Sequence, residues 1–267
     1  MNDRLHHRPV PVLGDNYVWL LESHAGPEVV VVDPGDADPV VDVVTRRGLQ
    51  PTLILLTHRH HDHVGGVAEL SARWEIPVVG PAADSIPGVT VGISEGDEVA
   101  IPASGAGPLR VIAVPGHTAG HVAYLGEETA LVGDTLFAGG CGRVFEGSAE
   151  TMVRSLARLA SLPTSTRLYC AHEYTVDNLL FATEVEPGNQ ALAERLARAR
   201  ELRRAGRPTV PSTLAEELAT NPFLRCGEAP VVAAASRVAG RDTAPGVDTF
   251  AVIRGWKDRW RPSAGGV

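Results

Sequence analysis

Lysine is nearly missing from this chain. Of the 24 basic residues among its 267, Lys257 is the one lysine and the rest are arginine, the bias a GC-rich genome produces. The basic residues form no long run and the formal net charge is −8. The footprint expected of a DNA- or RNA-binding protein is therefore absent, and no nucleic-acid partner is expected. Cysteine is scarce as well, at three residues, Cys141, Cys170 and Cys226. So sparse and odd a count argues against a disulfide framework and fits a reducing compartment. The opening stretch MNDRLHHRPVPVLGDN lacks the apolar core of a signal peptide. No apolar run approaches the ~18 residues that a membrane span requires. A cytoplasmic protein without a membrane partner is the expectation, and a monomer. What is present is ordinary, 44% hydrophobic and 21% charged residues, enough to bury one large core or two smaller ones.

Up to about His172, short apolar runs bounded by turn signals alternate with brief helical stretches. Strands are predicted at 17–21, 28–32, 52–56, 77–79, 109–114, 121–125, 129–132 and 167–170, with helices at 37–47, 64–74 and 148–161. Interleaved strands and helices indicate a mixed α/β domain. Beyond His172 the strand signals fade. Asn189 is placed to cap a helix whose Leu192, Leu196, Ala199 and Leu202 share one face, with Gly206 and Pro208 ending it. Its Arg and Glu residues then read as a solvated face, with Glu194 and Arg198 as an i,i+4 pair. Further helices are predicted at 212–219, 229–239 and 247–260, so the chain divides into residues 1–172 and a helical 173–267.

The densest chemical signal is Thr57-His58-Arg59-His60-His61-Asp62-His63, directly after an apolar strand. His58, His60, Asp62 and His63 are hard to explain as packing when crowded into six residues. Gly65 and Gly66 let the following helix approach closely. His117, Asp134 and His172 each end an apolar run and complete a set of five histidines and two aspartates. These donors suit Zn²⁺, Mn²⁺ or iron, and seven exceed the four of a closed structural zinc site. Two ions sharing one carboxylate account for all of them. Other titratable groups read differently: His6, His7 and His24 as exposed loop residues, and His61 as facing away from the cluster. His121 reads as a core or supporting histidine, and Asp33 as turn chemistry before a supporting role.

The pattern HxHxDH at 58–63, followed by His117, Asp134 and His172, resembles the metallo-β-lactamase superfamily and implies its αββα sandwich. Longer stretches narrow the resemblance to glyoxalase II, with its C-terminal all-helical domain. They are Leu13-Gly14-Asp15-Asn16-Tyr17, Gly133-Asp134-Thr135-Leu136-Phe137, Gly140-Cys141-Gly142-Arg143, Phe145-Glu146-Gly147 and His172-Glu173-Tyr174-Thr175. Pro211-Ser212-Thr213, Glu216-Glu217, Asn221-Pro222-Phe223-Leu224-Arg225, Arg254 and Lys257-Asp258 extend it into the helical half. The resemblance implies one metal on His58, His60 and His117, a second on Asp62, His63 and His172, and Asp134 bridging. Zinc is the expected divalent ion at both positions, with iron or manganese as alternatives.

It further implies that Arg143, Tyr174, Arg254 and Lys257 contact glutathione, and that the reaction is hydrolysis of S-D-lactoylglutathione. Asp62 and Asp134 would then flank a nucleophilic hydroxide generated between the ions. A thiol leaving group, with a pKa of about 8.5, needs no dedicated general acid. One departure is Phe145, where related sequences can carry a tyrosine. The nearest rival, a mononuclear-iron persulfide dioxygenase of the same fold, would need neither the full Asp62, His63, His172 set nor the helical C-terminus. A β-lactamase would want an export signal, a tRNA-processing nuclease a basic surface, and a non-enzymatic scaffold would be expected to have lost ligands.

Overall fold

The computed structural model describes residues 5–102 and 106–261. Apolar runs without polar alternation demand burial on both faces, and the first sheet supplies it. Its strands β1 (Leu5–Val12), β2 (Asn16–Ser23), β3 (Glu28–Val32), β4 (Gln50–Leu55), β5 (Val78–Pro81) and β6 (Val91–Ile93) lie in sequence order. The β1–β2–β3 pairs are antiparallel and β3 to β6 run parallel. Trp19, Leu21, Val30, Val32, Leu53 and Leu55 enter the core shared with the second sheet. Their alternates Val18, Leu20, Val29, Val31, Ile54 and Leu56 pack with Val40 and Val44 of α1 (Asp38–Arg47). A one-turn α2 (His61–Val64) precedes α3 (Val67–Trp74), which adds Val67 and Leu70 to the same layer. The helix expected at 64–74 is therefore split at Gly65-Gly66. A Cβ on Gly66 would lie 2.8 Å from the Ala37 nitrogen, so the close approach expected of these glycines is present.

The second sheet contains β7 (Glu98–Val99), β8 (Leu109–Ala113), β9 (Val122–Leu125) and β10 (Thr129–Gly133). A separate hairpin, β11 (Leu136–Phe137) with β12 (Gly140–Cys141), follows β10. Strands β13 (Arg167–Cys170) and β14 (Ser212–Thr213) complete the sheet beside β10. Its outer side is covered by α4 (Ala149–Ala160) and by the C-terminal helices. These are α5 (Thr175–Val185), α6 (Gln190–Arg204), α7 (Leu214–Thr220), α8 (Ala229–Ala239) and α9 (Val247–Arg259). Met152 of α4, Phe181 of α5, Val231 of α8 and Phe250 of α9 join the inter-sheet residues in one continuous apolar cluster. The architecture is an αββα sandwich with a helical C-terminal region seated on it. No helix among the described residues is long and apolar enough to cross a membrane.

Several expectations are corrected. His6 and His7 belong to β1, an element the proline-broken sequence hides, and the His7 ring stacks on Tyr169 at 4.3 Å. The stretch 212–219 begins as a strand, and its helix starts at a capping box between Thr213 and Glu216. Asn189 does cap α6, accepting from the Leu192 nitrogen at 3.1 Å. The charged face of α6 is not wholly solvated, however. Arg195 is buried and ion-pairs with the fully buried Glu217 at 2.5 Å, while Arg198 turns to Glu216 rather than to Glu194. Glu217 in turn accepts from the Gly139 nitrogen at 2.9 Å, and Asn221 donates to the Gly140 carbonyl at 2.9 Å. A buried polar chain thus runs from α6 through α7 to the β11–β12 hairpin.

Candidate metal centre and adjoining pocket

Strands β3 and β4 are parallel, so the segments that follow them emerge at the same edge. Asp33-Pro34-Gly35 therefore lies against the histidine-rich turn, so closely that a Cβ on Gly35 would sit 1.9 Å from the Asp62 carbonyl oxygen. His58 and His60 occupy the loop after β4, and Asp62 and His63 begin α2. His117 comes from the β8–β9 loop, Asp134 follows β10 and His172 follows β13. All seven residues singled out in the sequence converge. Their donor atoms fall into three groups, each within 4.8 Å: His58, His60, His117; His58, His63, Asp134; and Asp62, His63, His172.

The spacings suit donors gathered around a cation, since bonds of about 2.0–2.2 Å put neighbouring donors about 2.8–3.6 Å apart, the short end at right angles and the long end in a tetrahedron. His60 Nδ1 lies 3.2 Å from His58 Nε2 and 2.9 Å from His117 Nε2. Asp62 Oδ2 lies 3.6 Å from His63 Nε2 and 3.5 Å from His172 Nε2. Asp134 faces both sets, with Oδ2 3.4 Å from His117 Nε2 and 3.3 Å from His172 Nε2, and Oδ1 3.4 Å from His63 Nε2. His63 Nε2 and Asp134 Oδ1 are buried and make no hydrogen bond. Two such orphans face to face call for a cation between them, because an unpaired buried polar group is costly.

The charges agree. Burial pushes the Asp134 carboxyl up, but His63 and His172 outweigh it and hold it well below the carboxylate range. Burial, and then the positive charge of His63, depress His58 well below the usual histidine value; His117 is lowered chiefly by burial. Burial also lowers His63 and His172, but Asp134 overcomes it and raises both. The cluster favours positive charge on the Asp134 side and neutral imidazoles, fit to donate lone pairs, on the His58 side.

Four of the five histidines are aimed by a bond at the other ring nitrogen, the arrangement that fixes the tautomer of a ligating imidazole. His172 Nδ1 meets Asp15 Oδ1 at 2.8 Å, His117 Nδ1 the Arg143 carbonyl at 2.9 Å, and His63 Nδ1 Asp33 Oδ2 at 3.1 Å. Thr57 Oγ1 donates to Asp33 Oδ2 at 2.7 Å, so at 3.1 Å it accepts from His58 Nδ1. Asp33 is thus the hub of the centre rather than a turn residue, held at a left-handed φ of 51° and bound also by the Thr57 nitrogen at 2.8 Å. His121 is a supporting residue as expected. It is fully buried, stacks on His58 at 4.6 Å, accepts from the Asp134 nitrogen at 3.0 Å, and is pushed by burial to a pKa of about 3. His61 is exposed and belongs to none of the three donor groups.

Beside the centre opens a cavity of about 400 Å³, lined by His117 and Asp134 on one side and by Arg143, Tyr174, Arg254 and Lys257 on the other. Tyr174 stacks on His172 at 4.7 Å. Arg143 and Arg254 both donate to Asp258 Oδ1 at 3.2 Å. Arg254 also donates to the Cys141 carbonyl at 2.9 Å and keeps a buried Nε without a partner. Lys257 Nζ donates to the Asp177 carbonyl at 3.1 Å and sits 4.4 Å from the Trp260 ring centre. Burial, then the neighbouring Arg254, lower its pKa to about 8. Phe145 is exposed at the mouth, edge-on to His117 at 5.3 Å. Cys141 lines the cavity, but burial pushes its thiol up to about 11, far from a nucleophile.

The supporting groups Asp15, Asn16, Asp84 and Asn178 carry no spacing signal and escape sequence reasoning. Only Asp15 and Asn16 lie within a quoted motif; Asn16 donates to Asp62 Oδ2 at 3.0 Å. Residues 12–172 match the metallo-beta-lactamase superfamily, and residues 173–260 match the family described as hydroxyacylglutathione hydrolase C-terminus. A hydroxyacylglutathione hydrolase of Halorhodospira halophila is 51% identical over 250 residues, covering 94% of this chain and 97% of its own. One of Nitrosomonas europaea is 48% identical over 253 residues, covering 95% of each chain. Among solved structures, ETHE1 from Myxococcus xanthus superposes with a TM-score of 0.66 at 25% identity, over 97% of this chain and 92% of that one. A fold, a donor set and near-half identity along almost the whole chain converge on one conclusion: this protein belongs to the metallo-beta-lactamase superfamily and, within it, to the hydroxyacylglutathione hydrolases.

Proposed function

We propose that the protein hydrolyses S-D-lactoylglutathione, or a closely related acyl thioester, to D-lactate and free thiol. The observation that carries this reading is Asp134, whose two oxygens face both donor sets beside a pocket of three cations. His58, His60 and His117 would hold one divalent ion, Asp62, His63 and His172 the other, with Asp134 shared; zinc is our assignment, iron or manganese the alternatives. Bound there, such a pair of ions acidifies water toward a pKa of about 7 and stabilises negative charge on a carbonyl oxygen. Asp62, half-exposed and steadied by Asn16, would accept a hydrogen bond from the attacking water. The leaving thiol, with a pKa of about 8.5, departs as thiolate without a proton donor.

On the other wall, Arg143, Tyr174, Arg254 and Lys257 would receive the two carboxylates of glutathione. Charge-assisted bonds of this kind suit a cationic cleft. In this assignment residues 1–172 form the catalytic domain and lend Arg143 to the thiol subsite that 173–267 otherwise build, in a monomer of the cytoplasm. The persulfide dioxygenase reading is disfavoured by the complete second donor set and by the match over residues 173–260. The test is anaerobic turnover of S-D-lactoylglutathione alongside lactoyl thioesters of other small thiols. Hydrolysis with a preference for glutathione is expected, whereas oxygen-dependent consumption of a glutathione persulfide without thioesterase activity would overturn the assignment.

A further inference from the structure

His60 differs from its companions. It turns Nδ1 toward His58 and His117, and among the described residues its Nε2 has no hydrogen-bond partner. Its ring meets the edge of Phe145 at 5.8 Å and is otherwise placed by the backbone of its own loop. That backbone is tied at the preceding residue, where the Arg59 nitrogen donates to Asp84 Oδ2 at 3.0 Å.

Asp84 lies beyond β5 at the end of a short 3₁₀ turn, and its side chain is fully buried. It binds the loop that carries His117 just as firmly. Thr118 Oγ1 donates to its Oδ2 at 3.0 Å, and the Gly120 nitrogen to its Oδ1 at 3.0 Å. A Cβ on residue 120 would fall 2.3 Å from that oxygen, so the contact is available to glycine alone. The Arg59 guanidinium completes the shell at 3.4 Å. A buried carboxylate is tolerated only when donors surround it in this way. At the surface Glu146 spans the same two loops, from the Arg59 guanidinium to the Ala119 nitrogen. On the sheet side the Val122 nitrogen reaches the Thr57 carbonyl at 3.0 Å. Among the described residues, no hydrogen bond or ion pair joins the Asp84 shell to Asp62, His63 or His172.

We infer that Asp84 is a positioning residue for one half of the metal centre, setting the distance between the His58–His60 loop and the His117 loop. The inference rests on the metal assignment proposed above. It makes the two ions unequal in their dependence on the outer structure: both draw on Asp33, but one relies also on Asp84 and the other on Asp15.

Zinc binding to the apoprotein, followed by chelator competition, resolves this without reference to turnover. The wild type should show two binding events. Asp84→Ala should weaken one of them by about 10–100-fold, the range typical for groups that support ligands, and leave the other unchanged. Thr118→Val, which removes one donor and keeps the side-chain shape, should weaken the same event several-fold less, and Thr118→Ser should restore it. Glu146→Ala, cutting an exposed latch, should do less than Asp84→Ala. A wild type that binds no zinc sinks the metal assignment. Two undisturbed affinities in Asp84→Ala and Thr118→Val, or equal weakening of both together with a lower Tm, sink the role of Asp84 alone.

Discussion

His117 and Arg143 line the same cavity and touch one another, yet their surroundings differ in kind. The His117 side chain is 7% exposed and its ring is gripped at one nitrogen while the other faces Asp134. The Arg143 side chain is 55% exposed and shares a single carboxylate, Asp258, with Arg254. On the assignment proposed above, the difference follows from two jobs. Coordination tolerates errors of only a few tenths of an ångström, so the histidine wall is assembled in advance from buried donors. A flexible thiol with two carboxylates is better met by long cations that can rearrange. Damage to the first wall should act on chemistry and metal content; damage to the second should act on affinity.

The sharpest break in that contrast is Asp134→Asn. Loss of the shared charge should lower metal content below that of the wild type. It should cut kcat by more than the roughly 10–100-fold caused by losing a mere supporting group. Elemental analysis and initial rates check both, and unchanged values would remove Asp134 from the bridge. Next in size is Asp33→Ala, which frees His63 directly and His58 through Thr57. Both zinc affinities should weaken, by about 10–100-fold, distinguishing this hub from a group that serves one half.

Lys257→Ala should raise KM about tenfold while kcat changes far less, since loss of one charged hydrogen bond remote from the reacting carbonyl is a loss of uniform binding. Lys257→Arg should restore it only in part, a guanidinium differing from an ammonium in shape and hydration. The pH dependence carries a sign. With a pKa lowered to about 8, Lys257 is charged below that value and loses its proton as pH rises through it. KM for the glutathione thioester should therefore climb above about pH 8 in the wild type and be flat there in Lys257→Ala. The smallest effect is expected from Phe145→Tyr, which adds a hydroxyl at the mouth and should lower KM about two- to threefold. No change would mean that the ring edge, not a polar contact, is what the site uses at that position.

The convergence of seven residues was legible because coordination needs particular atoms, and those atoms come from few residue types at strand ends. Strands β3 and β13 were legible to the residue, since buried runs bounded by turn signals leave little ambiguity. β1 was not, because two prolines and two histidines mask an edge strand. α5 was missed as well, following directly on His172 with no apolar stripe to announce it. The supporting carboxylates were opaque for a deeper reason. Asp84 reads as a loop residue until Arg59, Thr118 and Gly120, far from it in sequence, are folded around it. Asp258 and the pairing of Arg143 with Arg254 were equally hidden, because motif spacing names the cations without saying what they hold when no substrate is present.

The buried chain from Arg195 through Glu217 to Gly139 has a consequence for how the molecule comes apart. The Gly139 amide is sealed against a carboxylate that belongs to α7, and the Gly140 carbonyl is held by Asn221. Opening the hairpin that joins Asp134 to Arg143 therefore means detaching the C-terminal helices. Opening it with the helices in place would instead strip the buried Glu217 carboxylate of its Gly139 donor. The Gly139 amide should accordingly exchange its hydrogen only with global unfolding, at the same rate as the α7 amides. The chain should melt in one transition rather than two. A fragment ending at residue 172 would then be a sandwich with a frayed rim beside its reactive centre, not a working hydrolase that has merely lost selectivity.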